Sequence, residues 1–574
     1  MKIKLVKNEY LISVILLTLF CIVLFFLNIG NYQFVDTDET KFVSIAKDML
    51  NANKFVTPQL NGENYFEYPP LIFWFINFFC FIFGKISAGI VRLPVAIISS
   101  LTIIFFYLSL KKILTKTYAL IITSILALNL SFVVFSHLAT NHIFFLAFAM
   151  GAIVCSYINI FPARYKKVNK YKNNILMYVF LGLSTMTAGI LGFIIPALCI
   201  YLIYLFSGNL KELSGKKNII TGGLLLLFII APWYVLMIFA HGVPFIKEHL
   251  AMLNFFEYGS IRKTCYVLLT AIAGFLPWTP SFIAVLFSKL KDNLSTLQQF
   301  LKENSQDKLK EKWQKLKIID KFIWANTIVF FTGLLFTLFF GAKHSYLIVM
   351  LLFPACCITG NYWYQYIFKK KHEKSIFVSG LIMNIIFILF SLFGIFGHRW
   401  LDYYINKGLD YFLIPMIIIF FIIPMISTFA LILKGRITAF AANLILMGAL
   451  SFVIVPSFFN FIILNGGEND LIGFATLAKD SGVKLAAYIP SKKYSINYYY
   501  DSAVHYNTDN NVEDLREYMK ENQEAFVITE INSLLEIENN KINYMLLDNG
   551  KRYCIIQYLS GEFIQQEEPE IITF

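Results

Sequence analysis

Charged residues are scarce in this chain. Only 15% of its 574 residues are Asp, Glu, Lys or Arg, whereas 57% are hydrophobic and 59 are Phe. This composition, with a mean hydropathy of +0.64, excludes intrinsic disorder, a collagen-like or coiled-coil rod and an ordinary soluble domain. It predicts an α-helical polytopic membrane protein.

Two common kinds of site have no support in the sequence. Seven of the eight cysteines lie in or beside apolar segments and only Cys554 lies in the C-terminal tail, so we expect neither a disulfide framework nor a Cys-rich zinc site. There is no GxxxxGK[ST] stretch and no strand-bound GxGxxG, which argues against a nucleotide-dependent reaction. Paired halves with broken helices, as in many transporters, are not evident either.

Charge is divided unevenly along the chain. The last 109 residues contain 18 acidic and 9 basic residues, so this tail carries about −9 while the whole chain carries +13. Such a division predicts a basic membrane domain over residues 1–465 and an acidic, water-exposed domain over residues 466–574.

The number of membrane spans depends on Leu71–Phe83, which lies between Pro69-Pro70 and Gly84. As a helix, its 13 residues would cover only about 20 Å of the roughly 30 Å hydrocarbon core, so we expect it to lie along the membrane interface. A first span at about 10–29 then enters from the cytoplasm. The other predicted spans are 88–110, 119–135, 143–160, 175–187, 190–207, 219–240, 266–287, 322–340, 345–364, 375–396, 411–433 and 438–464, which gives about thirteen in all.

The basic loops agree with this count. Lysine-rich segments such as 164–172, 289–321 and 369–371 all fall on the cytoplasmic side, as the positive-inside rule requires. An odd number of spans places the acidic tail outside, which in a two-membrane bacterium means the periplasm and an inner-membrane location. Within the tail, helices at 471–481 and 512–522 alternate with strands at 483–489 and 525–529, and a hairpin turns at 548–550, so we predict a small α/β domain.

The first outer loop is rich in ionisable residues. Asp36, Asp38, Glu39 and Lys41 precede or begin a segment whose apolar residues recur with helical spacing up to Leu50, which is typical of an amphipathic helix lying on a membrane. Acids in a first helical turn also complement the helix dipole, so a purely structural role for either carboxylate stays open.

Polar residues also collect in the other outer turns. Five of the eight histidines fall on this side, together with carboxylates and cations, which suggests a polar cavity at one membrane surface. The residues concerned are His137, Asn141, His142, 187–189, His241, Glu248, His249, Asn254, Glu257, Arg262, Lys263, Lys343 and His344.

Three motifs in the first outer loop occur in an order that resembles a known family. They are Asp38-Glu39-Thr40, Pro58-Gln59-Leu60-Asn61-Gly62 and Tyr65-Phe66-Glu67-Tyr68-Pro69-Pro70-Leu71. This order resembles the bacterial aminoarabinose transferases, relatives of the protein O-mannosyltransferases in the glycosyltransferase C superfamily. Looser similarities at Arg92-Leu93-Pro94, 189–196, Ala231-Pro232-Trp233 and 343–354 extend the resemblance over most of the chain.

The resemblance implies thirteen spans, an outer α/β domain, and transfer of a sugar from undecaprenyl phosphate to lipid A. It also implies that Asp38 and Glu67 are catalytic and that Lys41 lies near the donor phosphate, where the family usually has arginine. The chain departs from the family at Tyr68, Asn141 and Ala188, where relatives have lysine, aspartate and lysine; these departures bear on donor-phosphate contacts and on the identity of the sugar.

We therefore expect an inverting glycosyltransferase that uses a polyprenyl-phosphate sugar and modifies lipid A or a related envelope lipid. Cations would neutralise the departing phosphate, and Asp38 would orient or deprotonate the acceptor or hold an aminosugar. The expected partners are the lipid-linked donor, the lipid or glycan acceptor and membrane lipids, without nucleic acid. No cofactor is expected to be required, although a divalent metal is possible, with Glu67 and His249 as candidate ligands. The residues expected to contact the donor phosphate or substrate are Lys41, Tyr68, Asn141, Arg262, Lys343 and His344.

Two alternatives remain open from the sequence. The acceptor could be a protein or another glycan, or the chain could be a non-catalytic homologue that binds or transports lipid.

Overall fold

The computed structural model describes residues 2–34, 38–161, 169–213, 215–253, 261–287, 306–341, 343–404, 410–448, 467–509 and 511–560. The chain forms two compact units. Unit 1 comprises Met1–Gly30, Phe55–Thr57 and Phe66–Pro456, and unit 2 comprises Asn31–Lys54, Pro58–Tyr65 and Ser457–Phe574. Most of the first outer loop thus belongs to the same unit as the C-terminal domain. The domain boundary at 465/466 lies outside the described residues and stays a prediction.

Helices account for most of the described chain. They are α1 Lys2–Phe26, α2 Asp38–Asn51, α3 Leu71–Phe83, α4 Ala88–Leu110, α5 Lys116–Ala127, α6 Leu130–Phe135, α7 Asn141–Ile160, α8 Lys170–Phe206, α9 Leu210–Leu213, α10 Lys216–Leu250, α11 Ile261–Gly274, α12 Thr279–Phe287, α13 Gln306–Lys315, α14 Ile318–Phe340, α15 Leu352–Lys369, α16 Glu373–Tyr404, α17 Asp410–Ile432, α18 Arg436–Gly448, α19 Glu468–Ser481, α20 Tyr494–Tyr500, α21 Val512–Glu521 and α22 Leu534–Asn539.

Unit 1 is the membrane domain, and α7 is its central helix. The apolar part of α7 is 94% buried, and it packs against both α4 and α8. Among the described residues, six helices are long and apolar enough to cross a membrane, or seven if the bent pair α11 and α12 forms one span. The polytopic helical architecture is confirmed, while the count of thirteen stays a prediction.

The 37-residue helix α8 is two antiparallel arms rather than one rod. Lys170 at its start binds Glu212 beyond its end at 2.7 Å, and the Ser184 hydroxyl donates to the Gly192 carbonyl at 2.7 Å. In a continuous helix, residues 184 and 192 would lie about 12 Å apart. The chain reverses at Gly189, whose φ of 62° and ψ of −146° are open essentially only to glycine. The two separate segments predicted at 175–187 and 190–207 are thus confirmed as helices, while a crossing of the membrane by each stays a prediction.

Helix α10 reverses in the same way at Gly242, with φ of 56° and ψ of −133°. The Tyr234 hydroxyl and His249 Nε2 are 3.0 Å apart, although a straight helix would separate these residues by about 22 Å. We call residues 243–253, which turn back along α10, the return segment. It ends in a 3₁₀ turn, Ala251–Leu253.

The predicted helix at Leu71–Phe83 is present with the expected bounds. Gly84 ends it in the left-handed conformation, with φ of 65°. One face is buried, while apolar rings on the other face, including Phe78 and Phe81, are exposed. An exposed apolar face suits contact with lipid, but its position at the membrane interface stays a prediction.

The C-terminal part of unit 2 is a five-stranded mixed sheet with helices on both faces. Strands β1 Gln59–Leu60 and β2 Glu63–Asn64 form a small hairpin earlier in the unit. The sheet has the order β4-β3-β5-β7-β6, with β3 parallel to β4 and β5, and β7 antiparallel to β5 and β6. Its strands are β3 Leu485–Tyr488, β4 His505–Asn507, β5 Phe526–Glu530, β6 Tyr544–Asn549 and β7 Tyr553–Tyr558.

Successive side chains of β3 point to opposite faces of the sheet, which explains why helices pack on both faces. Leu485 and Ala487 join a core with α19 and α20, whereas Ala486 and Tyr488 join a core with α21 and α22 on the other face. The predicted α/β domain is confirmed, while α20, α22 and β4 were not predicted. They are short, and three consecutive tyrosines in α20 obscure its period.

Helix α2, in the first outer loop, is the predicted amphipathic helix, but its apolar face contacts protein rather than lipid. Its apolar residues Phe42, Ile45, Ala46 and Met49 are all at most 3% exposed. Protein covers this face, so it is not available for contact with lipid, and a position of the helix at the membrane surface stays a prediction.

We predict that Gly242→Ala destabilises the protein by about 1–3 kcal/mol, because alanine at positive φ is strained. A Cβ at Gly242 would meet no atom within 4 Å, so backbone strain alone determines the loss of stability. Gly223, in the same helix, has equally open space without a positive φ, and Gly223→Ala should be neutral or stabilising. Thermal unfolding of the two variants in one detergent compares them directly; equal melting temperatures would contradict the prediction.

Candidate functional site

Four segments of unit 1, one of them the end of the return segment, meet in one cluster. They are residues 66–68, 188–189, 249–252 and 343–346, and we call this cluster the polar junction. Gly189 lies so close that an added Cβ would be 2.8 Å from Met252 Cε and 3.3 Å from His249 Cε1. The two chain reversals therefore assemble the cluster.

His249 links the return segment to the first outer loop. Its Nδ1–H donates to the Phe66 carbonyl at 2.8 Å, and in the neutral ring its Nε2 accepts from the Tyr234 hydroxyl at 3.0 Å. The ring is only 4% exposed. Because both nitrogens have protein partners, His249 serves here to hold the loop that precedes Glu67.

Glu67 is half-buried, and its carboxylate interacts electrostatically with the buried phenol of Tyr346. Among the described residues, no group of three or more His, Cys, Asp or Glu side chains is arranged to hold a metal ion. The possible metal site at Glu67 and His249 stays a prediction without a ligand set.

Lys343 and His344 hold the other side of the return segment. Lys343 Nζ donates to the Ala251 carbonyl at 3.1 Å, and His344 Nε2 donates to the Met252 carbonyl at 3.1 Å. The last carbonyls of a helix have no partner within that helix, and these two side chains supply one.

The Tyr68 hydroxyl lies 2.9 Å from His344 Nδ1, within the same network. His344 is fully buried and Tyr68 is 6% exposed. The contacts thus run from the Tyr68 hydroxyl to the His344 ring and from that ring to the Met252 carbonyl.

The first turn of α7 joins this array through His142. Its Nδ1 hydrogen-bonds to the Thr140 hydroxyl at 2.9 Å, and its Nε2 to the Ser345 hydroxyl at 3.2 Å. Asn141, at the first turn of α7, is 2% exposed, and its Nδ2 has no hydrogen-bond partner within the described part of the chain. A buried donor without a partner is costly, so Asn141 is a candidate ligand contact.

Asp38 and Lys41 belong to unit 2. Asp38 begins α2 and is exposed, whereas Glu39 beside it is buried. Lys41 Nζ lies over the Tyr65 ring at 4.9 Å and over the Tyr494 ring at 5.9 Å. Cation–π contacts hold this lysine between two rings, so it is not a simply solvated residue on a helix surface.

Asn61, from the Pro-x-Leu-Asn-Gly motif, fastens the first outer loop to the C-terminal sheet domain. Its Oδ1 accepts from the Val504 backbone N–H at 2.9 Å and from Asn497 Nδ2 at 2.6 Å, and its Nδ2 donates to the Val504 carbonyl at 3.1 Å. The Asn61 backbone N–H donates to Asp48 Oδ2 at 3.1 Å. The motif thus anchors α2, which carries Asp38 and Lys41.

An ion-pair network lies beside this anchor. Lys47 Nζ is 2.6 Å from Asp501 Oδ1, and Lys479 Nζ is 3.1 Å from Asp501 Oδ2. Burial raises the pKa of Asp48, against the opposing effects of the Asn61 N–H and Lys47. Burial also opposes ionisation of Asp501, but hydrogen bonds and charge from the two lysines outweigh it and lower the pKa.

The structure sorts the predicted site residues into two groups. Unit 1 brings Glu67, Tyr68, His249, Lys343 and His344 together in the polar junction, and unit 2 carries Asp38 and Lys41. The side chain of Arg262 lies outside the described residues.

Sequence reasoning missed Tyr234, Tyr346 and Asn61 as site-building residues. Tyr234 and Tyr346 lie in apolar runs that read as ordinary membrane helix, so no local signal marked them.

An apolar cavity of about 370 Å³ adjoins the polar junction. Arms of α8 and α10 form most of its wall, which is almost entirely apolar, and His249 belongs to both this cavity and the polar junction. It is lined by Thr185, Ile190, Phe193, Ile230, Tyr234, Ile238, Phe245, Ile246, His249 and Leu250.

Comparison with solved structures decides the fold. Two crystal structures of ArnT from Cupriavidus metallidurans, one bound to undecaprenyl phosphate and one in the apo state, superpose with TM-scores of 0.68 and 0.69. The bound structure is 15% identical, and the match covers 96% of this chain and 99% of that one. This chain has the ArnT fold. The resemblance to aminoarabinose transferases drawn from the loop motifs is confirmed.

Sequence comparisons agree with the ArnT fold. Residues 67–236 match the family model of dolichyl-phosphate-mannose-protein mannosyltransferases. An undecaprenyl phosphate-alpha-4-amino-4-deoxy-L-arabinose arabinosyl transferase from Yersinia enterocolitica is 25% identical over 50% of this chain and 51% of its own length. An uncharacterised protein from Aquifex aeolicus is 27% identical over 47% of this chain and 53% of its own length. The chain spans about half the length of these curated relatives.

We predict that Asn61→Ala loosens the first outer loop, because it removes three side-chain hydrogen bonds and places alanine at a φ of 56°. The local cost should be about 2 kcal/mol or more. Hydrogen exchange should then increase in α2 and at 503–505. Asn64→Ala, at an exposed position of the same hairpin, is the matched control; equal protection in both variants would refute the anchoring role.

A pH-dependent prediction concerns Asp501. Its pKa is lowered in the folded protein, so its stabilisation is present above its ordinary pKa and is lost as the pH falls through the lower, folded value. Asp501→Asn should therefore lower the melting temperature near pH 7, and the difference from wild type should narrow below about pH 4. Asp480→Asn, an exposed acid at the end of α19, should show little difference at either pH. If the melting temperature of Asp501→Asn lay below that of wild type by the same amount at every pH, the prediction would be contradicted.

Proposed function

We propose that this chain is an inverting glycosyltransferase that moves a sugar from a polyprenyl-phosphate donor to lipid A or a related envelope lipid. It would act at the periplasmic face of the bacterial inner membrane, with the C-terminal domain outside. The observation that carries the proposal is an apolar cavity that adjoins the polar junction. A lipid phosphate is amphipathic in the same way, with a long apolar chain and a charged head.

The comparisons support the same substrate class. Relatives that match about half their length are named as undecaprenyl phosphate aminoarabinosyl transferases, and a structure of the same fold holds undecaprenyl phosphate. Both findings concern those proteins, and together with the cavity they favour a polyprenyl-phosphate donor here.

Within this proposal, unit 1 receives the donor phosphate. The phosphate is already a good leaving group, so the enzyme needs mainly to position it and to neutralise the charge that develops on departure. Lys343 provides a cation at the junction, and Tyr68 and Asn141 can provide hydrogen-bond donors. Lys41, in unit 2, stays a candidate for a donor-phosphate contact on the family resemblance alone.

Asp38 would orient the acceptor or hold an aminosugar. If the acceptor is a lipid A phosphate, it is already ionised and requires no strong base. A single displacement at the anomeric carbon then breaks the bond to the donor phosphate, forms the bond to the acceptor oxygen and inverts the configuration.

A second candidate function is sugar transfer to protein. It is favoured by the match of residues 67–236 to protein mannosyltransferases. Mass spectrometry of both lipid A and membrane glycoproteins from a deletion strain separates the two acceptors, and a strain with neither change would support a non-catalytic lipid-binding role.

We predict that Asp38→Asn abolishes sugar transfer while leaving the fold intact. Asp38 is exposed at the start of α2, so loss of its charge removes no core packing. Purified variants should be assayed with a polyprenyl-phosphate sugar and lipid A.

The matched control is Glu63→Gln, which neutralises an exposed acid in the same loop and should keep full activity. Both variants should unfold at the wild-type temperature. Full activity of Asp38→Asn would remove this carboxylate from the mechanism.

A further inference from the structure

One face of α2 lines a second, polar pocket, and all the residues around this pocket belong to unit 2. Ser44, Lys47, Asp48 and Asn51 recur at positions i, i+3, i+4 and i+7, so they share that face. Asp38 lies outside this register and about 9 Å along the helix from Ser44. The pocket is therefore separate from the proposed catalytic carboxylate.

The hairpin of the first outer loop and the chain around α20 complete the pocket. Gln59, Asn61 and Gly62, three residues of the motif at 58–62, contribute one wall, and Asn497 and residues 502–503 contribute another. The cavity volume is about 360 Å³, at the small end of the range for small-molecule sites. The motif that anchors the loop thus also builds a pocket.

Ser44 brings to this pocket a buried hydroxyl that has no partner among the described residues. The residue is 3% exposed, and its Oγ makes no hydrogen bond within that part of the chain. A serine inside a helix often donates to the carbonyl four residues earlier, as Ser99 and Ser100 do in α4. A ligand oxygen that accepts from Ser44 Oγ would remove the cost of burying this donor.

The charges at the pocket already have protein partners, which disfavours an ionic ligand. Lys47 Nζ donates to the Tyr498 carbonyl at 2.8 Å and pairs with Asp501 Oδ1 at 2.6 Å. Asp48 Oδ2 accepts from the Asn61 backbone N–H at 3.1 Å. An anionic ligand would meet the carboxylate of Asp48, and a cationic ligand would meet the ammonium of Lys47.

An uncharged sugar suits both the polar groups and the carbon surface of this pocket. Sugar hydroxyls donate and accept, which matches the Ser44 hydroxyl, the Asn51 amide and the Asp48 carboxylate, while sugar C–H faces match the carbon surface of Ala52 and Ala503. We propose that this pocket binds an uncharged sugar residue, either from the glycan of the lipid acceptor or from a free glycan. Sugar binding requires no donor lipid, so the inference stands apart from the proposed transfer reaction.

The test is saturation-transfer difference NMR of sugars with the full chain in lipid nanodiscs. The probes are glucose, galactose, mannose and N-acetylglucosamine, with glucose 6-phosphate as the charged counterpart. We expect at least one neutral sugar to bind with a Kd of about 1–10 mM, and glucose 6-phosphate to bind at least about tenfold more weakly than glucose. Absence of binding by every neutral sugar at about 50 mM, or tighter binding of the phosphate, would overturn the proposal.

Two variants test whether the sugar occupies this pocket. Ser44→Ala removes the unpartnered hydroxyl, so the free protein should melt at the same or a higher temperature while the sugar binds about fivefold more weakly. Ala52→Phe places a ring in the pocket from an exposed position and should abolish binding. Lys54→Phe places the same ring at an exposed position outside the pocket lining and is the matched control. Equal sugar affinity in wild type, Ser44→Ala and Ala52→Phe would overturn the assignment to this pocket.

A kinetic measurement identifies the source of the sugar. If the pocket holds the glycan of the acceptor, Ala52→Phe should raise the KM for lipid A and leave kcat unchanged. An unchanged KM together with lost sugar binding would assign the pocket to a free glycan. Absence of transfer by wild type would contradict the proposed function and leave the sugar-binding pocket standing.

Discussion

Two glycines with positive φ determine how the helices of the membrane domain pack. At Gly189 and Gly242 the backbone adopts φ near 60° with ψ near −140°, a conformation that side-chain-bearing residues avoid. Each allows a helix to reverse at once and pack against itself. Without these reversals, the return segment would not lie beside Phe66, and the polar junction would have no core around which to form.

The reversal of α10 creates a second requirement, which polar side chains meet. The carbonyls at the end of the return segment have no partners within their own helix, and unpaired carbonyls in a low-dielectric setting are costly. Lys343 and His344 bind the carbonyls of Ala251 and Met252, while His249 binds the carbonyl of Phe66. Residues predicted to bind substrate therefore also hold the main chain in place. A substitution at any of them would therefore change both roles.

The first outer loop also contains both structural residues and residues with a proposed role in catalysis. Its motifs follow one another closely in the sequence, yet they have different roles: Asn61 anchors the loop to the sheet domain, whereas Asp38 is exposed at the start of the anchored helix. Lys41 lies over the ring of Tyr65, from the third motif. The C-terminal domain thus stabilises the helix that carries the proposed catalytic carboxylate, and the two parts form one unit.

The sequence by itself determined the helical membrane architecture, the α/β tail, the helix at Leu71–Phe83 and the family resemblance, because hydrophobic period, segment length and motif order are local properties of the chain. It also identified Lys343 and His344 as candidates from their residue types and predicted side of the membrane, and Tyr68 from its place in the family motif. Only the tertiary structure decided that Tyr68 bonds His344, that His249 holds Phe66 and that α2 is covered by protein. Those contacts join residues up to 276 positions apart, and they depend on where the chain reverses, which no local pattern of hydrophobic residues specifies.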